Sequence, residues 1–70
     1  MSNLRVFNRT ASERLWGKRL DVYLVLSGLG ISRTQAGKLI DAGKVLINGS
    51  KSKPSYRVKP GDEIAARYEP

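Results

Sequence analysis

Apolar and polar positions alternate near the start of the chain, take a helical period in its middle, and alternate again at its end. Leu4 to Asn8, LRVFN, sets Leu4, Val6 and Phe7 against Arg5 and Asn8 and predicts a short strand. Arg9 to Gly17 reads as a connection. In Arg19 to Ser27, RLDVYLVLS, the residues Leu20, Tyr23, Leu24 and Ser27 fall at helical offsets. Asp21 stands in the first turn of that helix, where a carboxylate suits the helix dipole. Gly28-Leu29-Gly30 ends it.

A second helix starts at Ser32, which has Gln35 three residues on, the S-x-x-Q pattern of a capping box. Ala36, Leu39 and Ile40 form one narrow apolar stripe, and Gly43 follows as a left-handed C-terminal cap. KVLING, Lys44 to Gly49, predicts a strand ending in the Asn-Gly pair of a two-residue hairpin. The return limb, SKSKPSYRV, contains Pro54, which cannot donate to a ladder, so this limb is an edge strand or irregular. KPGD, Lys59 to Asp62, is a turn. In EIAARY, Ile64, Ala66 and Tyr68 alternate with Glu63, Ala65 and Arg67, as expected of a half-buried strand. The order strand, helix, helix, strand, strand, strand predicts an α+β fold, two helices packed on a small, mainly antiparallel sheet.

Seventy residues suffice for one small domain with a thin core, since a chain of this length buries only about 60% of its unfolded surface. The absence of Cys excludes disulfide staples and thiolate metal sites, and the absence of His removes the commonest general base. Catalysis by a serine or by a carboxylate pair stays formally open, but nothing in the sequence would activate a serine, and no catalytic residue, metal ligand or cofactor is expected. No apolar run has the length of a signal core or a membrane span, so a cytoplasmic protein with no membrane partner is expected.

Charge changes the picture most. Thirteen Lys and Arg stand against six Asp and Glu, a net charge of +7. From Ser32 to Lys59 the cations are Arg33, Lys38, Lys44, Lys51, Lys53, Arg57 and Lys59, and Asp41 is the single acid. They are either a solvated surface or a face for a polyanion. Their position around turns, without alternating acids, favours the polyanion. Arg33 and Thr34 lie in the first turn of the second helix, whose free N–H groups and dipole attract phosphate. Arg33 is mildly unfavourable there, so it either reaches into solvent at small cost or serves a ligand. Lys38, about one turn after Arg33 and Thr34, is expected to share their face. Lys44 follows the cap, and Lys51 and Lys53 leave the Asn48-Gly49 turn. Tyr56 could stack on a base or be buried against the second helix. With few aromatics near the cations, recognition of a folded RNA backbone fits better than a stacking platform for single strands.

RLDVYL, GLGISRTQAGKLIDAGKVLING and KPSYRVKPGDEI, taken in this order and spacing, strongly resemble the S4 RNA-binding domain, or alpha-L motif, from roughly Lys18 to Ile64. KPSYRVKPGDEI followed by AARYEP looks most like the N-terminal domain of large-subunit-type RNA pseudouridine synthases. The resemblance implies an S4-like alpha-L fold over residues 18–70, with 1–17 as an N-terminal strand and connection. It implies that Ser32, Arg33, Thr34, Gln35, Lys38, Lys44, Asn48, Lys51 and Lys53 contact structured RNA, ribosomal RNA in particular. It also implies a non-catalytic module that docks a modifying enzyme, with a catalytic domain following. Arg19-Leu20-Asp21 superficially matches the catalytic Asp motif of those synthases, but that motif belongs to the catalytic domain, and Asp21 is not expected to be a nucleophile. Two alternatives stay open: a free-standing S4-type ribosome-associated protein, such as a heat-shock or assembly factor, and an interaction domain for an acidic protein.

Overall fold

The computed structural model describes residues 4–12 and 16–69. The middle of the expected Arg9–Gly17 connection lies outside them. The elements are β1 (Arg5–Thr10), α1 (Leu20–Leu26), α2 (Arg33–Asp41), β2 (Val45–Ile47), β3 (Ser50–Lys51) and β4 (Glu63–Tyr68), in the order the hydrophobic pattern predicts. The sheet order is β1-β4-β2-β3, and every pairing is antiparallel.

β1 runs through Arg9 and Thr10, which the sequence assigns to a connection. The reason is its partner: β4 pairs with β1 from Arg5↔Tyr68 to Thr10↔Glu63 and holds the backbone extended over its whole length. β3 has only two residues, because the limb turns away from β2 before Pro54. Asn48 and Gly49 have φ of 52° and 82°, the paired positive values of a type I′ turn, and Ile47 faces Ser50 across it.

α1 has no side-chain cap. The Leu20 and Asp21 N–H groups donate instead to the carbonyls of Tyr56 (2.8 Å) and Pro54 (3.3 Å), so the segment after β3 closes the start of α1. Arg19 and Arg57 form an antiparallel bridge beside this junction. α2 ends in a Schellman motif, with Lys44 N–H donating to the Leu39 carbonyl and Gly43 N–H to the Ile40 carbonyl, both at 3.0 Å. Gly43, at φ 75°, makes that reversal possible.

Both helices lie on one side of the sheet. The core joins Leu20, Tyr23 and Leu24 of α1, Ala36 and Ile40 of α2, Val45 and Ile47 of β2, Val58, and Ile64, Ala66 and Tyr68 of β4. β4 shows the expected alternation, with Glu63 and Arg67 exposed and Ala65 half-buried.

Candidate nucleic-acid interface

The start of α2 is held by its own side chains. Gln35 N–H donates to Ser32 Oγ at 3.1 Å, and Ser32 N–H donates to Gln35 Oε1 at 2.9 Å. The capping box thus occupies the Ser32 hydroxyl and the Gln35 carbonyl oxygen and fixes the first turn. Thr34 is exposed within that turn.

Arg33 does not simply extend into water. Its Nε donates to Asp21 Oδ2 at 3.3 Å. Arg19 grips the same carboxylate with two bonds, Nε to Oδ1 at 3.2 Å and a terminal nitrogen to Oδ2 at 3.1 Å, and Val22 N–H donates to Oδ1 at 2.8 Å. Asp21 is 4% exposed, yet 59% of the Arg33 side chain stays in solvent. Burial alone would push the Asp21 carboxyl up; the Arg19 guanidinium, the Val22 N–H and Arg33 outweigh it and hold the carboxyl below its ordinary value. The cluster keeps a net positive charge with an outward-facing guanidinium. The dipole cost that makes Arg33 notable in the sequence is offset by this carboxylate.

Lys38 lies elsewhere. Five helical residues turn the side-chain direction by about 140°, so of the two residues expected to share a face with Lys38, Thr34 does and Arg33 does not. Lys38 follows Thr34 by one turn and, with Ile31, Gln35, Leu39, Tyr68 and Glu69, lines a concavity of about 210 Å³ at the end of β4.

The hairpin side gathers three of the expected residues. Asn48, Lys51 and Lys53 line an open groove of about 520 Å³ with Ile47, Ser52 and Tyr56. Asn48 is also a structural tie: its amide donates to Asp62 Oδ1 at 3.0 Å and accepts from Glu63 N–H at 2.9 Å. Tyr56 is half-buried, and its hydroxyl donates to Asp62 Oδ2 at 2.6 Å. The Lys59 N–H donates to the same oxygen at 2.9 Å. Burial of Asp62 works against its charge, but the Tyr56 hydroxyl, the Lys59 N–H and the Asn48 amide hold its carboxyl below the ordinary value. The Tyr56 phenol is in turn pushed up by its bond to Asp62.

Lys51 is brought back to the end of α2. A Cβ on Gly43 would lie 3.1 Å from Lys51 Cε, so the lysine stem runs over the glycine cap, next to Lys44 in the chain. Pro54 leans on α2 at the next opening, with its Cγ 3.8 Å from the position of a Gly37 Cβ. Sequence reasoning missed the two carboxylates that organise the site, Asp21 and Asp62. The available signal was their scarcity: an acid in a cation-rich chain has donors close at hand.

The S4 domain family matches residues 18–64, from the turn before α1 to the second residue of β4. The chain belongs to the S4 domain family. It is 46% identical over 50 residues to the RQC P-site tRNA stabilizing factor of Bacillus subtilis, covering 71% of this chain and 58% of that protein. The small ribosomal subunit protein uS4 of Pelotomaculum thermopropionicum is 47% identical over 55 residues, 77% of this chain and 26% of its own. The uncharacterized RNA pseudouridine synthase YlyB of Bacillus subtilis is 38% identical over 55 residues, 79% of this chain and 18% of its own. The chain spans less than two thirds of the length of each of these relatives. Among its described residues no helix is long and apolar enough to cross a membrane.

Proposed function

We propose that this S4 domain is a cytoplasmic RNA-binding module that docks on structured RNA of the ribosome and catalyses nothing by itself. The observation that carries this reading is the arrangement of cations around α2 and the hairpin. Arg33 is steadied by Asp21, Lys38 lines the concavity between α2 and the end of β4, and Lys44, Lys51 and Lys53 continue along the turn and groove. The relatives named for a ribosomal protein and a tRNA-stabilizing factor support the same partner class.

In this mechanism Arg33, Lys38, Lys44, Lys51 and Lys53 neutralise phosphates, and Thr34 donates its hydroxyl beside them. Ser32 and Gln35 present the first turn of α2, and Asn48 fixes the hairpin turn against Asp62, so these three act by holding the backbone that meets RNA. Recognition is of shape: the groove offers one half-buried aromatic, Tyr56, whose hydroxyl is bound to Asp62.

Competition binding tests the reading. A structured ribosomal RNA fragment should displace a labelled RNA hairpin well before DNA of the same length does. Equal displacement by DNA, with tight binding to one acidic protein, would favour the protein-interaction alternative.

A second reading places the module ahead of a pseudouridine synthase catalytic domain, as its RNA-targeting part. The likeness to YlyB favours it. The pure chain should then release no tritium from 5-tritiated uridine in ribosomal RNA, and fusion to such a catalytic domain should raise turnover on structured RNA over that of the catalytic domain alone.

A further inference from the structure

The helices cover one face of the sheet, toward which Ile64, Ala66, Tyr68, Val45 and Ile47 are buried. Among the described residues no helix or further strand covers the other face. Strand alternation and register place Val6, Asn8 and Thr10 of β1, Glu63, Ala65 and Arg67 of β4, and Leu46 of β2 on it. One row across this face reads Asn8, Ala65, Leu46, Lys51. The next row joins Val6 to Arg67, and the Arg67 N–H donates to the Lys44 carbonyl at 2.9 Å, extending the register by one residue beyond β2. Val45 faces inward, so alternation turns Lys44 outward.

Three cations therefore meet at one end of the open face. Lys44 and Arg67 sit on adjacent strands, about 5 Å apart at the backbone. Lys51 lies on the far side of Leu46, and its stem bends back over Gly43 toward Lys44. Like charges on neighbouring strands repel. Glu69 follows Arg67 by two residues and lines the concavity beside Lys38, and Glu63 stands four residues away on the same strand, about 13 Å along it, so cations outnumber acids at this end of the face. The floor beneath them, Ala65 and Leu46, is half-buried, with Val6 57% exposed at its edge, and none of the described residues placed on this face by the register is aromatic.

We infer that the open sheet face, with Arg67 as its central cation, is a second phosphate-contacting surface for RNA, continuous with the hairpin through Lys44 and Lys51. The inference rests on the RNA-binding reading above. RNA docked on α2 and the hairpin passes over the end of β4, and Arg67 takes a phosphate of its backbone. No base is read there, so the contact adds affinity and orientation without sequence preference.

The test is a salt-dependent titration of a fluorescein-labelled RNA hairpin with the wild-type chain and with Arg67→Gln, Lys38→Gln and Lys18→Gln, each checked by circular dichroism. Lys18 is exposed in the segment before α1, outside the sheet, α2 and the hairpin. Arg67→Gln should flatten the log–log salt slope by about 0.7 to 0.9, one phosphate, and Lys18→Gln should leave it unchanged. In the wild type, RNA should shift the backbone amide signals of Ala65 and Val6. Wild-type slope and unshifted signals, with Lys38→Gln still weakened, would overturn the sheet-face contact and leave the RNA-binding reading standing. Absence of hairpin binding by the wild type would overturn both.

Discussion

Arg33 Nε lies 3.3 Å from Oδ2 of Asp21, a carboxylate on the preceding helix whose other oxygen is held by Arg19. One buried acid thus fixes two guanidinium groups and ties the start of α2 to the start of α1. The same acid lets a cation stand at a helix N-terminus, where the dipole opposes it. Asp21→Asn should cost on the order of 2 kcal/mol in urea unfolding, since it leaves both guanidiniums without a counter-charge in a partly dry site. Arg33→Gln should cost less than Asp21→Asn, because Arg19 still satisfies the carboxylate. The reverse order of stabilities would contradict the shared anchor.

Acid should weaken the fold through Asp21 and Asp62. Both carboxyls titrate below their ordinary value of 3.8 in the folded chain, Asp21 because its guanidinium and N–H donors outweigh burial, Asp62 because Tyr56, Lys59 and Asn48 do. The unfolded chain takes up protons first as the pH falls. The stability contributed by each group is therefore complete well above 3.8 and is lost as pH drops from there through the lowered folded value. Thermal unfolding of the Asp21→Asn, Asp62→Asn double variant should fall less steeply below pH 4 than that of the wild type, from a lower starting point. A parallel decline would assign the acid sensitivity to other groups.

Tyr56→Phe separates a structural hydroxyl from a stacking ring. It removes the 2.6 Å bond to Asp62 and keeps the aromatic face in the groove. Stability should drop by about 1 to 2 kcal/mol, while RNA affinity, measured below the unfolding range, stays within twofold. A large loss of affinity with unchanged stability would mean that the hydroxyl belongs to the RNA contact.

Gly43→Ala and Gly49→Ala should each destabilise the domain by about 1 kcal/mol, since both glycines have positive φ. Gly43→Ala carries an additional signature. Its Cβ would press on the end of the Lys51 side chain, so it should also perturb RNA binding, whereas nothing lies within 4 Å of a Cβ on Gly49. Unchanged melting in both variants would contradict the cap and the turn.

The features legible in the sequence are those governed by neighbours in the chain. The capping box at Ser32 and Gln35, the glycine cap at Gly43, the Asn48-Gly49 turn and the alternation of β4 all follow from spacings of a few residues. What the sequence left hidden depends on docking between distant segments. Asp21 meets Arg33 because α1 and α2 pack together, Tyr56 and Asn48 converge on Asp62 because the limb after β3 folds back, and β4 sets Arg67 beside Lys44. Arg67 looked like an ordinary polar position on a half-buried strand, and only the register reveals its neighbours. The expected shared face of Arg33, Thr34 and Lys38 holds for Thr34, four residues from Lys38, and fails for Arg33, since a spacing of five overshoots one turn by more than a third. The expectation for Tyr56 left burial and stacking open, and the bond to Asp62 supplies the physical reason for its half-buried position.

The salt dependence of RNA binding tests the central claim most directly. With Arg33, Lys38, Lys44, Lys51 and Lys53 as phosphate partners, about three to five contacts give a log–log slope between roughly −2 and −4.5 on a structured ribosomal RNA fragment. Replacing Arg33 and Lys38 together by Gln should flatten that slope by about one to two units with the fold intact. Replacing Arg5 and Lys18, which lie on β1 and before α1, should leave it unchanged. An equal flattening by the Arg5 and Lys18 pair would contradict a defined surface and reduce the binding to diffuse attraction of RNA to a basic protein.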